Sequence, residues 1–423
     1  MNNFQYSNTF LINLIISTII PFLIWGPFFP DLIVSASALF FLYYVFKNKS
    51  FHYFNNIPLI FFFIFWVYCI SISIFVAEDI LVSFKSSFFY FRIGVFSCFI
   101  WYLIEKDKCI LIFFYYALIL CFSALVFDGY LQFFRGENIV GYKFNGYRVS
   151  SFFGDELIMG SYLSRLFPLL FALFLIKKKQ KFEIYFISIL FISVDILIYI
   201  SGERTAFFFL NLSTIFIIIL IKEYQKFRLI TFLIAIICIF ILSAYSSNLT
   251  NRMFKIPAQN MGLVENPKSK ETYIFSEIHD GYLSTAFNMF KDKPILGHGP
   301  KMFRLKCSDP NYSFGKRSCD RHPHNFYAQL LAETGIIGFS FLFSAFLYVL
   351  YASLMQFKSI IFKKNRYLTD YQVCLLSSIL ITLWPFSPNG NFFNNWMIIT
   401  YSLPIGFYLQ SLYEKKLIKK LFL

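Results

Sequence analysis

Along this chain apolar residues fall into long runs separated by short polar breaks, and the length of the runs identifies the elements. Runs centred on 10–28, 32–46, 57–76, 88–104, 109–127, 157–176, 182–200, 205–221, 229–246, 336–356, 371–387 and 393–412 each approach the ~20 residues that carry a helix across a bilayer core. The pattern predicts an all-α polytopic membrane protein with about twelve transmembrane helices. Two longer polar stretches, 128–156 and 247–323, interrupt the runs. Within the second, Ile278, Tyr282, Leu283, Ala286, Phe287 and Phe290 recur at helical spacing, which predicts a short loop helix. Ser276 is placed to cap it, and Pro294, Gly297 and Gly299 to end it. No internal repeat or low-complexity linker divides the chain.

Composition agrees with the pattern. The 423 residues are 58% hydrophobic and 14% charged, against about a quarter charged in soluble domains. The net charge of +15 raises the question of nucleic acid, but the basic residues form short clusters between apolar runs and no continuous basic face. That excludes nucleic-acid binding and points to membrane topology. Alternate connections carry Lys47 and Lys49, Lys106 and Lys108, Lys177 to Lys179 with Lys181, and Lys222 with Lys226 and Arg228. The series ends with Lys358, Lys363, Lys364 and Arg366, then Lys415, Lys416, Lys419 and Lys420. All fall on one side if the spans alternate, and the positive-inside rule makes that side cytoplasmic, with both termini. The N-terminal MNNFQYSNTF lacks the basic region of a cleavable signal, so the first run is expected to persist as a span.

The polar breaks on the opposite side hold the candidate chemistry. Arg321-His322-Pro323-His324-Asn325 leads into Phe326–Thr334 and then Gly335-Ile-Ile-Gly338. Pro323 suits a first helical turn, which would set His324 at a helix N-terminus where a neutral imidazole is favoured. Gly335 and Gly338 would allow a bend into the next span. Local features alone favour a plainer reading, a histidine capping backbone groups beside two glycines at a helix crossing. Ser201-Gly-Glu-Arg204-Thr is a second polar break, and Arg204 there suits either a phosphate or a lipid headgroup. Asp128, Gln132, Arg148, Asp155, Glu156, Ser161, Tyr162 and Arg165 form a third group, read either as ligand contacts or, for Asp128 especially, as a solvated loop. Lys85 and Arg92 could meet lipid phosphate or anchor a helix. Six cysteines lie in or beside apolar runs. Cys307 and Cys319 share the long loop, with no partners at zinc-ligand spacing, and are read as a disulfide if that loop is oxidised or as two free thiols if not.

His324-Asn325, followed by Gly335 and Gly338 in the string PHN…LLAETGIIGF, resembles the hallmark of the O-antigen ligase and polymerase family, with Glu333 inside the motif. Lys291 to Pro300 is similar to that family's PxxGxG segment, Ser201 to Thr205 to its serine–arginine turn, and Arg148 to Leu163 to a stretch of polymerase-like members. The resemblance covers about 128 to 400. It implies N-terminal transmembrane helices over 1–127 and a ligase/polymerase-like membrane domain over 128–423, including a periplasmic loop over 247–335. It further implies a multi-pass enzyme of the bacterial inner membrane, facing the periplasm and surrounded by membrane lipids. Such an enzyme moves a glycan from undecaprenyl diphosphate to a sugar hydroxyl, on lipid A–core for a ligase or on a lipid-linked repeat for a polymerase. The donor brings its own leaving group, so neither metal nor cofactor is expected, and single displacement would invert the anomeric centre. By resemblance His324 is the base and Arg204 binds the diphosphate, with Arg148 and His279 as further candidates. Many members carry arginine where this chain has His279, and Arg148, Arg304 or Arg321 are the candidates to replace it.

The alternative is a multi-span transporter of a lipid-linked sugar or small anion. A carrier is expected to place charges at the midplane, often in two related halves. Here the polar residues gather at one face and the halves differ, which favours the glycosyltransferase.

Overall fold

A computed structural model describes residues 2–421 apart from 177–179, 265–271, 316–317 and 394. Helices make up most of the described chain: α1 (Asn2–Ser17), α2 (Ile19–Trp25), α3 (Phe28–Asn48), α4 (Ile57–Phe75), α5 (Ile80–Phe88), α6 (Phe91–Lys106), α7 (Cys109–Arg135), α8 (Met159–Leu175) and α9 (Lys181–Ile200). There follow α10 (Arg204–Leu220), α11 (Gln225–Tyr245), α12 (Ser247–Thr250), α13 (Ile256–Asn260), α14 (Glu277–Asp292), α15 (Phe303–Lys306), α16 (Phe326–Ile361), α17 (Asp370–Thr382) and α18 (Asn395–Leu421). Every predicted apolar run lies on one of these helices or on a pair such as α1–α2, except that the 371–387 run outlasts α17, which stops at Thr382 ahead of Pro385. Seven described helical segments are long and apolar enough to cross a membrane. The chain is an all-α multi-pass membrane protein.

Polar side chains at the helix starts explain where several helices begin. Asn56, Asp79, Ser276 and Thr369 each accept the backbone N–H three residues on, which satisfies a donor that the helix leaves open. The loop helix starts at the predicted cap and ends just before Pro294. At the centre stands α8, buried along nearly its whole length and packed against α7, α9, α10 and α17, while α6 is held between α3 and α18.

The lysine-rich connections meet at one end of the bundle. Lys108 pairs with Glu414 at 2.7 Å, the backbone N–H groups of Lys222 and Glu223 donate to Asp370, and Arg366 and Gln356 both donate to the Leu220 carbonyl. This common end is what alternating spans require. Lys177, Lys178 and Lys179, counted with this series, lie outside the described residues.

Two charged residues sit differently from expectation, and Arg92 takes the second of its two expected roles, anchoring a helix. Arg228, counted among the cytoplasmic cations, is fully buried; it holds Asp195 through both terminal nitrogens at 2.8 and 3.0 Å and Thr214 at 2.7 Å. Asp128 is no solvated loop residue. It too is fully buried, accepting from Asn138, the Ile139 N–H and Ser151, and so folds the 136–158 loop onto α7. Arg92 turns inward to Asp31 and Ser35, tying α6 to α3. Each buried charge finds the partner it requires, a distant carboxylate for the two arginines and hydrogen-bond donors from the loop for Asp128. Replacing Arg228 alone with leucine would strand the Asp195 carboxylate, a loss of about 3–5 kcal/mol. Replacing both with leucine should recover most of the detergent melting temperature. Thermal unfolding of the purified variants checks this.

Candidate active site

At the opposite end of the bundle, α16 delivers the histidine motif. Asn325 caps it: its Oδ1 accepts from Tyr327 and Ala328 at 3.0 Å each, and its Nδ2 donates to the Pro385 carbonyl at 2.8 Å. Pro323 therefore precedes the helix and does not occupy its first turn. Asn325 satisfies the open N–H groups, and the left-handed backbone of His324 (φ 55°) turns the chain before the helix can start. His324 thus lies just ahead of the cap.

The predicted bend is present at Gly335, whose φ of 63° and ψ of −167° divide α16 into a short helix and a span. The reason for glycine is contact with the segment that ends the loop helix. A Cβ on Gly335 would lie 2.2 Å from the Ile295 carbonyl oxygen, and one on Gly297 would lie 2.5 Å from the Glu333 carbonyl carbon. Backbone bonds lock the two segments: His298 to Ala332, Gly299 to Glu333 and Ile336 to Pro294, at 3.1, 2.7 and 2.9 Å. The buried Glu333 side chain adds to the lock by accepting from the Phe303 N–H at 3.2 Å and from Gln329 at 3.0 Å. Gly338, further along, lies against the Thr334 side chain. The PxxGxG-like stretch and the histidine motif are one structural unit.

Around His324 the loop gathers aromatic rings and a carboxylate. His324 Nε2 lies 2.9 Å from Asp320 Oδ2. Tyr282 of α14 stacks on the imidazole at 5.3 Å between centroids, with His322 at 4.2 Å and His279 at 5.6 Å. Burial works against the Asp320 carboxylate, yet the His324 hydrogen bond and the Arg321 N–H hold it below its usual range. With Asp320 ionised, the proton of His324 resides on Nε2 and Nδ1 is left as the acceptor. Burial lowers His279, helped by the nearness of His324 and by the Arg204 charge, and burial lowers His322 to about 4, helped again by the nearness of His324. Both are neutral at pH 7. The backbone of His324 is fixed from the core: its carbonyl accepts from the Asn389 N–H at 2.6 Å, and the Asn389 side chain accepts from buried Arg165 at 3.2 Å.

Positive charge comes from arginines around the Ser201–Gly202 turn. Arg204 begins α10, and Arg148 reaches across from the 136–158 loop to the Leu157 carbonyl. Arg252, on a π-helical turn over Asn251–Lys255, donates its Nε–H to the Gly202 carbonyl at 3.3 Å. Burial lowers Arg148 from its usual value; Glu203 opposes this and Arg252 adds to it. Glu203, the acid among them, accepts from the N–H groups of Gly160 and Ser161 at 2.6 and 3.0 Å and from the Ser161 hydroxyl at 2.7 Å, capping α8.

Of the candidates from sequence, the structure brings together His324, His279, Arg204 and Arg148. Arg304 lies behind them, where its charge bears on His322 and Glu333. Arg321 is exposed and contributes its backbone N–H to Asp320. Cys307 and Cys319 form the disulfide, with Cα atoms 4.9 Å apart, closing the loop immediately before Asp320. Among the described residues no group of three or more His, Cys, Asp or Glu side chains is placed to hold a metal ion. Sequence reasoning missed Asp320 and Arg252. The first pairs with His324 only because the chain turns at the histidine, and the second meets Gly202 across fifty positions, for which no local pattern exists.

Residues 186–343 match the family described as O-antigen ligase, a span that contains Arg204, Arg252, His279, Asp320 and His324. No curated protein matches the chain.

Proposed function

We propose that this chain, which belongs to the O-antigen ligase/polymerase family through residues 186–343, transfers a glycan from undecaprenyl diphosphate to a sugar hydroxyl at the periplasmic face of the bacterial inner membrane. Family membership gives the broad role, a glycosyl-transferring membrane enzyme of surface polysaccharide synthesis that uses lipid-linked glycan. The observation that carries the finer reading is the Asp320–His324 hydrogen bond, joined to the arginine-lined turn through His279, which lies 5.6 Å from His324 and feels the charge of Arg204. The acceptor oxygen attacks the anomeric carbon while its proton passes to His324 Nδ1. The bond from that carbon to the diphosphate oxygen breaks, and its electron pair leaves with the diphosphate, inverting the centre. Arg204 and Arg148 offset the charge that accumulates on the leaving group, and the base acts on the weakly acidic hydroxyl. The donor's own leaving group means that the step calls for no nucleotide or metal.

The periplasmic orientation is supported by the lysine-rich end lying opposite the site and by the disulfide, which suits an oxidising compartment. Exposed Cys109, at the lysine-rich end, supplies an internal control. In cells with a permeabilised outer membrane, an impermeant thiol reagent should label a Val140→Cys variant and should reach Cys109 only after lysis. The reverse pattern would put the site in the cytoplasm and end the proposal.

For the reaction itself, purified protein in vesicles is given lipid-diphosphate-linked glycan and acceptor. Extended acceptor should form together with free lipid diphosphate. A transporter would move the donor across the bilayer with no covalent change. The Arg148 segment resembles polymerase-like members, which favours polymerase. A deletion strain then accumulates single repeats attached to the core, whereas loss of a ligase strands long chains on the carrier lipid.

A further inference from the structure

We propose that Arg252 is a third diphosphate-binding residue, closing a clamp with Arg148 and Arg204 around the Gly202 turn. The inference rests on the reading of the ligand as a lipid diphosphate. What it adds is a residue from a different part of the chain and a charge balance for the site.

Gly202 is the pivot. At φ 66° it exposes its carbonyl, which accepts from Arg252 Nε. A Cβ built on it would meet the Tyr147 carbonyl oxygen at 2.7 Å and the Cγ atoms of Arg148 and Arg252 at 3.1 and 3.4 Å. The stems of both arginines therefore flank a turn that leads, two residues later, into Arg204. Arg252 is anchored from below. Met253 and Leu249 are buried, and Phe254 packs against Tyr199 with ring centroids 6.3 Å apart. Among the described residues its one bond, to Gly202, uses Nε–H and leaves the four terminal N–H donors for a ligand.

Among the described residues one carboxylate, Glu203, acts on this cluster through its charge on Arg148, and it forms no ion pair there. Glu203 spends both oxygens on the start of α8, and among the described residues no ion pair involves Arg148, Arg204 or Arg252. Arg148 also keeps a buried Nε with no hydrogen-bond partner. Three guanidinium groups less one carboxylate leave two net charges. A diphosphate diester carries two negative charges, and the lipid diphosphate released by transfer carries a third. Such a cluster binds the bound donor at near neutrality and gains most as the glycosyl bond breaks, which is where binding accelerates a reaction. A phosphate monoester approaches the same charge but carries it on one phosphorus, so it lacks the second phosphoryl group needed to reach across three guanidinium groups, and neutral lipids offer no charge.

The probe is farnesyl diphosphate, with farnesyl monophosphate as the comparison, titrated into detergent-purified full-length protein and followed by calorimetry. Arg252→Ala should weaken diphosphate binding about tenfold, as loss of charge-assisted hydrogen bonds predicts, and should leave the weak monophosphate binding unchanged. Arg252→Lys should keep the charge but lose the Gly202 bond and fall between the two. Its melting temperature, close to wild type, separates binding from folding. Unchanged diphosphate affinity in Arg252→Ala overturns the clamp, as does a wild-type protein that does not prefer diphosphate to monophosphate. The glycan-transfer reading stands or falls separately. If wild type binds the diphosphate through Arg252 yet never extends an acceptor, the clamp survives and transfer does not. If Arg252→Ala transfers glycan with the wild-type donor KM, transfer survives and the clamp does not.

Discussion

His324→Ala should abolish glycan transfer while leaving the amount of protein in the membrane and its affinity for a lipid diphosphate unchanged. The expected fall is about 10²–10⁴-fold in kcat, the usual contribution of a positioned general base, and no neighbouring ring replaces it. His279 and His322 are both held neutral, but His279 Nδ1 is engaged with Ser276 at 2.8 Å and burial encloses His322. Asp320→Asn is the finer test, because asparagine keeps the shape of the side chain and removes its charge. An amide no longer dictates that the imidazole proton sits on Nε2, so part of the population presents a protonated Nδ1 to the acceptor. That variant should lose about tenfold in kcat with an unchanged donor KM. In vitro transfer with a lipid-diphosphate-linked glycan measures both. Near-normal product from His324→Ala would remove the base from the mechanism, and a raised KM with an intact kcat in Asp320→Asn would make the carboxylate a mere contact.

How far the sequence disclosed this site follows from the range of the forces that build it. The spans were legible because a bilayer imposes a length of about 20 apolar residues on each of them, and that signal is local. The loop helix was legible for a similar reason, since Tyr282, Ala286 and their neighbours recur at one turn's spacing and Ser276 caps them. His324 and Gly335 stood out because a polar string and paired glycines are costly beside a membrane. Partners were another matter. Asp195 for Arg228, Asn389 for Arg165 and Gly202 for Arg252 are chosen by tertiary packing, over separations of 33, 224 and 50 positions. The Asp320–His324 pair is only four apart and was still invisible, because at a non-helical turn a spacing of four carries no implication of contact. Tyr282 shows the converse error: at helical spacing it reads as an apolar-face residue, yet its ring covers the imidazole.

Gly335→Ala should be the most damaging single change outside the reacting groups, and it should act on folding and transfer together. The backbone angles at Gly335 lie in a region closed to residues with a Cβ, at roughly 1–3 kcal/mol of strain. The added methyl would also stand 2.2 Å from the Ile295 oxygen, an overlap that costs about 1–3 kcal/mol more. Relief requires the Pro294–Gly299 segment to withdraw, and that segment is bonded to Ala332, Glu333 and Ile336 on both sides of the kink. Withdrawal frees the 303 turn held by Glu333 and lets the short helix of α16 straighten into the span. His324 and Asn325 lie at its far end and would swing away from Asn389 and the arginine turn. The variant should therefore melt well below wild type in detergent, and whatever folds at low temperature should transfer poorly. Melting curves alongside initial rates decide the point. A Gly335→Ala protein with the wild-type melting temperature and rate would show that the kink does not position the base.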